Sequence, residues 1–161
     1  MRETMRDAPG VGLAAPQIGL PVQIAVIEDR AELLESILPE RLAERGRRPV
    51  PFHVIVNPKI TLEGDPVEFF EGCLSLSGYS ALVPRASRVR VDCLNERGEP
   101  VTIQAEGWYA RILQHEIDHL NGALYIDRMY SRSFTTMEEH KRIWDGMSVA
   151  EVRAALEISS R

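Results

Sequence analysis

Apolar residues recur at helical spacing most clearly between Trp108 and Leu124. Trp108, Ile112, His115 and His119 fall on one face, and Leu113, Ile117, Leu120 and Leu124 mark a neighbouring one. This pattern predicts a helix with Gly122 as its carboxy-terminal stop. A second helical pattern, Leu33, Leu34, Ile37, Leu38 and Leu42, runs through the highly charged stretch from Asp29 to Arg48. It predicts a surface helix or insertion, closed off by Pro49 and Pro51. Met1 to Asp7 reads as the last turns of a helix stopped by Ala8-Pro9-Gly10. Ser148-Val149-Ala150-Glu151 is a capping-box pattern that opens a final amphipathic helix through Ile158.

Elsewhere the period shortens to that of strands. Gln23 to Glu28 (QIAVIE) is a short β-rich run with the look of a buried strand. Strands are predicted at His53 to Asn57, Lys59 to Glu63 and Val67 to Phe70, with Gly64-Asp65-Pro66 supplying a turn. Arg88 to Leu94 (RVRVDCL) alternates, Asn95 to Pro100 turns, and Val101 to Ala105 alternates again, a hairpin leading into the Trp108 helix. Gly10 to Gly19 (GVGLAAPQIG) reads as a loop whose small side chains let another backbone approach. It has neither the Gly-Lys-Ser/Thr ending nor the preceding strand of a phosphate loop. The sum is a single α+β domain over residues 1–161, mainly antiparallel strands packed around one central helix.

Composition narrows the function classes. In 161 residues, 44% apolar and 27% charged, there is room for a real core and nothing unusual for a globular chain. A net charge of −5 with both signs interspersed carries no nucleic-acid footprint. The basic run Arg45 to Arg48 is broken by Gly46 and reads as a solvated face. No apolar run approaches membrane-spanning length, and the opening MRETMRDAPG has no apolar signal-peptide core. Neither a nucleic acid nor a membrane is therefore expected as a direct partner. Two cysteines, Cys73 and Cys93, make no disulfide framework and suit a reducing compartment.

The chemistry lies on the central helix. Residues four apart on a helix differ by about 40° around its axis, so His115 and His119 point the same way. Such a pair can hold one tetrahedral metal ion, and Glu116 is close enough to handle protons. The pattern is short, and a third ligand is what separates a metal site from a chance match. Cys73, in Glu71-Gly72-Cys73-Leu74-Ser75, is the natural candidate. A thiolate and two imidazoles leave a fourth position for water, the mark of a catalytic rather than a closed structural site. Cys93 sits in an alternating strand and reads as core. His53 and His140 have no partners at ligand spacing and read as structural or surface residues.

Three motifs together resemble those of the peptide deformylases: GVGLAAPQ at Gly10 to Gln17, EGCLS at Glu71 to Ser75 and QHEIDH at Gln114 to His119. They stand in that family's order and separation. GYSALVPRA at Gly78 to Ala86, GWYARILQHEIDH at Gly107 to His119 and the charged insertion after Glu28 are similar to the mitochondrial-type branch, which includes bacterial members. The resemblance implies that Cys73, His115 and His119 bind the metal, that Glu116 shuttles the proton, and that Gln17 and the backbone N–H of Leu74 form an oxyanion hole. It implies contact with substrate along Gly10, Val11, Gly12, Glu71, Trp108 and Ile112. It favours a supporting pair of Arg85 with Asp118, since a buried acid needs a charged partner. It implies one divalent ion, iron(II) first, with zinc, nickel or cobalt as alternatives that a His₂Cys donor set does not distinguish. The implied substrates are N-formyl-methionyl nascent peptides, met in the cytoplasm of a bacterium or an organelle matrix of a eukaryote, with a transient ribosome contact left open. It also implies an amino-terminal strand and a longer first helix ahead of the glycine loop, which this sequence does not contain.

The chemistry of the residues agrees. A divalent ion lowers the pKa of its water towards about 7, and the resulting hydroxide attacks the formyl carbon. Charge on the formyl oxygen then meets the ion, a side-chain amide and a backbone donor. Glu116 passes the proton to the leaving amine, which gives formate and a free amino terminus. Val11, Leu13, Trp108 and Ile112 are expected near the metal, either lining a cavity for methionine's thioether or as ordinary core; Leu13 fits both. Gly10 and Gly12 would let a peptide lie against the loop like an added strand. Two competing readings are a zincin-type peptidase and a non-catalytic metal-binding module. The first takes its third ligand downstream of the second histidine, where none is well placed after His119. The second has no need of Gln17, Leu74 and Glu116 together.

Overall fold

The computed structural model of the chain describes residues 1–158. In chain order it contains α1 (Arg2–Asp7), β1 (Gly12–Ala14), β2 (Ile24–Asp29), α2 (Ala31–Leu34), α3 (Pro39–Glu44), β3 (Val50–Cys73), β4 (Leu76–Leu94), β5 (Pro100–Glu106), α4 (Gly107–Leu120), β6 (Thr135–Thr136), α5 (Met137–Glu139) and α6 (Val149–Ala155). Among the described residues the strands follow the order β1-β2-β3-β4-β5, with β6 paired to β4. The α+β architecture of mainly antiparallel strands with one central helix is the one the sequence predicts. The chain divides into two compact units, one formed by Met1–Pro66 and Ala86–Ala123, the other by Val67–Arg85 and the residues from Leu124 onward.

In the first unit, period-two alternation sorts side chains to two faces. β1 and β2 pair antiparallel with Gly12 opposite Ile27, Leu13 opposite Val26 and Ala14 opposite Ala25. Ala14, Ala25 and Ile27 join Ile55, Val89, Val91 and the buried stripe of α4 (Ala110, Ile112, Leu113, Ile117, Leu120) in one core. Leu13 and Val26, on the other face, pack with Met5 of α1. The hairpin of β4 and β5 runs in register from Arg88 opposite Glu106 to Leu94 opposite Pro100. Cys93 is buried in the main core, as its place in the alternation predicts. His53 bonds the hydroxyl of Tyr109 at 3.0 Å, a structural role. The carboxylates at the end of β2 each hold an arginine bidentately: Glu28 takes Arg6 at 2.7 and 2.6 Å, and Asp29 takes Arg47 at 2.8 and 2.9 Å.

In the second unit, β6 pairs with β4 through Tyr79 opposite Thr136 and Ser80 opposite Thr135. Ala81, Val83 and Tyr125 form its core, with Cys73, Leu76, Ile126 and Met129 packed around them. Ser133 Oγ accepts the Leu82 N–H at 2.8 Å.

Four local expectations are corrected. The charged stretch after Asp29 forms two short helices, because Pro39 cannot continue the first and instead starts the second. Gly64-Asp65-Pro66 does not turn; β3 continues through it. Gly64, at φ 71°, is needed for close approach: a Cβ there would lie 2.4 Å from Ser87 Oγ of β4. The glycine loop contains a strand, β1, which its small residues concealed, followed by a 3₁₀ turn over Ala15–Ile18. The last helix opens on the predicted Ser148 capping box but ends at Ala155, two residues before Glu157 takes the left-handed conformation at φ 52°.

Candidate active site

Of the chemical side chains on helix α4, Glu116 and His119 are buried and His115 is half-buried. Glu116 is 4% exposed and His119 4% exposed, and the His115 and His119 rings meet edge to face with centroids 4.7 Å apart. His119 Nδ1 lies 3.2 Å from the carbonyl of Ala123. A carbonyl only accepts, so Nδ1 carries the proton there and Nε2 is left as the ligand atom. The far end of α4 is tied down by Gln23, whose Nε2 donates to Leu120 O at 2.8 Å.

The glycine loop fits against this helix. A Cβ on Gly12 would lie 2.2 Å from Glu116 Oε1, so β1 and the carboxylate occupy adjoining space that only glycine leaves open. Two residues on, the Ala14 N–H donates to Gln17 Oε1 at 2.8 Å. With the oxygen end of that amide taken by a backbone donor, the Nε2 end is the one turned onward as a donor. Val11 packs at the edge of the main core, half-buried.

Cys73 ends β3, and the Ser75 N–H approaches its Sγ at 3.4 Å, a contact that a thiolate accepts more strongly than a thiol. Leu74, the expected backbone donor, lies in the turn after it with 41% of its surface exposed. Glu71, expected to face substrate, is buried, and its two carboxylate oxygens accept from Arg85 at 3.0 and 2.9 Å. Both partners are almost completely out of solvent, so losing either one costs the other a buried, bidentate charged bond. Tyr125, fully buried beside them, has its phenol pushed up to about 12, first by burial and then by the neighbouring Cys73 and Glu71 charges. It stays neutral at any physiological pH.

Cys73, His115 and His119 each offer one donor atom, and these atoms lie within 4.8 Å of one another, a group that could hold a metal ion. Donor atoms around one tetrahedral ion stand about 3.3–3.8 Å apart for bonds of roughly 2.0–2.3 Å. A soft thiolate with two neutral imidazoles fits a divalent transition metal rather than calcium or magnesium.

Ile112 and Leu13 are buried in the cores, at 4% and 3% exposure. Trp108 sits at the start of α4 among three guanidinium groups, with Arg45, Arg47 and Arg111 at 5.1, 5.4 and 5.9 Å from the ring centroid. Asp118 is buried on α4. Two side chains escape a reading by periodicity. Gln114 accepts the Ala86 N–H at 3.0 Å and donates to Ala86 O at 2.9 Å and Ala110 O at 3.0 Å, so its amide completes the edge of β4 as a backbone would. A polar residue inside the stripe Ala110, Leu113, Ile117 is the sequence signal for it. Tyr125 gives no such signal.

A helix bearing His115-Glu116-x-x-His119 beside an antiparallel sheet, with Cys73 able to offer a third donor, is the arrangement of a candidate metal site. The family model for polypeptide deformylase matches residues 1–135. The chain belongs to the peptide deformylase family. It is 48% identical over 157 residues to peptide deformylase 3 of Streptomyces avermitilis, covering 97% of this chain and 68% of that protein. It is also 48% identical over 139 residues to the chloroplastic peptide deformylase 1A of Solanum lycopersicum, covering 86% of this chain but only 50% of that protein. The chain thus spans half to two thirds of the length of these relatives. Among solved structures it resembles a class I type b peptide deformylase from Acinetobacter baumannii with Met-Ala-Ser bound, at 34% identity and a TM-score of 0.69, covering 80% of this chain and 76% of that one. Organellar and bacterial relatives stand side by side, as the motif resemblance implies. No helix among the described residues is long and apolar enough to cross a membrane.

Proposed function

We propose that this protein removes the formyl group from N-formyl-methionyl peptides, releasing formate, with one divalent metal ion held by Cys73, His115 and His119. The observation that carries the reading is the three-donor group with the carboxylate of Glu116 on the same helix, seated against Gly12. A divalent ion bound there supplies a Lewis acid for the formyl oxygen and lowers the pKa of attacking water. Glu116 takes the proton of that water and delivers it to the leaving amine. Gln17 Nε2, oriented by the Ala14 N–H, and the Leu74 N–H meet the charge that builds on the formyl oxygen. Gly12 opens β1, the outer strand in the sheet order, and with Gly10 and Val11 just before it offers the place where the peptide backbone would lie as an added strand. Arg85, through its bond to Glu71, and Asp118 support the site from buried positions. Met-Ala-Ser, the molecule bound to the Acinetobacter relative, is the class of product this reading assigns.

Iron(II) is the ion we assign, and aerobic decay of activity faster in the iron form than in a zinc or nickel form is the check. The substrate assignment is tested by formate release from formyl-Met, formyl-Ala and acetyl-Met peptides. Burying a methionine side chain is worth roughly 1.5–3 kcal/mol, so formyl-Met should exceed formyl-Ala by about 10- to 150-fold in kcat/KM. Acetyl-Met should be nearly inert. Equal values for all three, or cleavage of an internal peptide bond instead, would sink the reading.

A further inference from the structure

The family match ends at residue 135, yet the chain beyond it packs onto the strand that ends in Cys73. Successive side chains of a strand point to opposite faces, so in the last turns of β3 residues 68 and 70 face one way and 71 and 73 the other. Contacts bear this out. Glu71 and Cys73 share their side with Arg85 and Tyr125. On the opposite side, Phe70 meets the His140 ring edge to face at 4.3 Å. Glu68 Oε1 accepts from the Tyr130 hydroxyl at 2.7 Å and, from further along the chain, from Arg153 Nη1. Arg153 lies over the Tyr130 ring, 5.5 Å from its centroid, and donates to Ile158 O at 3.4 Å.

Helix α6, which carries Arg153, is fixed by contacts of its own. Val152 is 1% exposed. Ser148 and Glu151 cap the amino-terminal end reciprocally, and Arg132 holds the carboxy-terminal end through Leu156 O at 3.2 Å and Glu157 at 3.1 Å. Arg153 is therefore presented in place before it meets Glu68, so little side-chain freedom is lost on forming the pair.

We propose that the segment from Met137 to Ile158 is a brace on the back of β3, and that Glu68 and Arg153 are positioning residues for the Cys73 ligand on its front. Metal–thiolate bonds stay within about 0.2 Å of a fixed length, and a strand end packed on both faces opens less often than one packed on a single face, so the brace keeps Cys73 nearer to that length. The inference rests on Cys73 being a ligand of the ion proposed above.

The test uses the full chain loaded with cobalt(II), whose thiolate-to-metal absorption band reports the Cys73 bond directly. Arg153→Met keeps an unbranched apolar stem and removes the charged guanidinium; Glu68→Gln removes the charge from the other partner. Both should weaken the band and release metal to a chelator about 10-fold faster, as loss of an outer contact to a ligand does. Arg153→Lys, which keeps a cation for Glu68, should recover much of both. A band and release rate equal to those of the parent protein, with only a lower melting temperature, would mean that Arg153 merely anchors the last helix, and would overturn the proposal. Should Arg153→Met fail to fold, Glu68→Gln and Arg153→Lys decide it alone. A parent protein with no thiolate band would instead overturn the ligand assignment of Cys73, a different outcome from an unchanged band in the variants.

Discussion

Residue 12 is glycine because Glu116 is where its side chain would go: a Cβ there would stand 2.2 Å from Oε1, 2.5 Å from Cδ and 2.7 Å from Cγ of the glutamate. The reason is steric, since Gly12 is not among the glycines with positive φ. Gly12→Ala must therefore push the carboxylate out of place. A misplacement of about 1 Å costs on the order of 10²-fold, so kcat should fall by about that factor with metal content unchanged. Glu116→Ala should lose about 10²- to 10⁴-fold, again with metal retained. The decisive measurement is the double variant: adding Gly12→Ala to Glu116→Ala should cost almost nothing further, whereas additive losses would mean that Gly12 acts elsewhere.

The two thiols should respond oppositely to removal. Cys73→Ser is expected to lower the metal bound per chain and the activity with it, measured by elemental analysis of protein purified without air. Cys93→Ser should keep its metal, but it places a hydroxyl in the main core, at a position 8% exposed. That costs roughly 1–3 kcal/mol and lowers the melting temperature by several degrees. The reverse pattern would move the third ligand to Cys93.

Gln114 presents both a donor and an acceptor to Ala86, so the charge-neutral swap is informative. Gln114→Leu preserves bulk but leaves the Ala86 N–H and carbonyl without their side-chain partner. Urea unfolding should show a loss on the order of 1–3 kcal/mol. Gln114→Glu keeps the acceptor but sets a buried carboxylate against the Ala86 and Ala110 carbonyls, and should be at least as destabilising as Gln114→Leu at neutral pH. If Gln114→Leu were as stable as the parent, the amide would be incidental.

The pair of Arg6 and Glu28 predicts a pH dependence. Hydrogen bonding to Arg6, ahead of the burial that opposes it, holds the Glu28 carboxyl below its ordinary value of 4.5. A carboxyl depressed by folding stabilises the protein above its unfolded pKa, and that stability is lost as pH falls through the folded value. Arg6→Met should therefore lower the melting temperature near neutral pH, and the gap to the parent should close as pH drops below about 4. A gap independent of pH would assign the effect to packing.

Much of this site was legible because its chemistry is local in sequence. His115, Glu116 and His119 need only a helix to come together, and the stripes Leu113, Ile117 and Leu120 predict one. The β4–β5 hairpin was readable because RVRVDCL alternates strictly. What escaped depends on partners distant in the chain. Gly64 looked like a turn glycine because sequence does not show that Ser87 would press against it. β1 was hidden because Gly12 and Ala14 have side chains too small to betray a period, being small for the sake of what lies opposite. Leu13 and Ile112, read as near the metal or as core, belong to the core, since a face pattern cannot tell a cavity wall from a packed interior. Trp108 lies among Arg45 and Arg47 of the charged stretch and Arg111 of its own helix, a grouping that no spacing rule anticipates.

The bidentate clasp of Arg47 on Asp29 has a further consequence for the charged excursion between them. It joins the two ends of the stretch, which carries α2 and α3 and buries little beyond Leu34. Closing a chain segment has an entropy that grows only with the logarithm of its length, so halving or doubling the segment changes stability by about 0.6 kcal/mol. With its ends pinned independently of its contents, the stretch from Arg30 to Glu44 is a place where the chain tolerates shortening, lengthening or an inserted tag, while the sheet behind it and the helix bearing His115 keep their register.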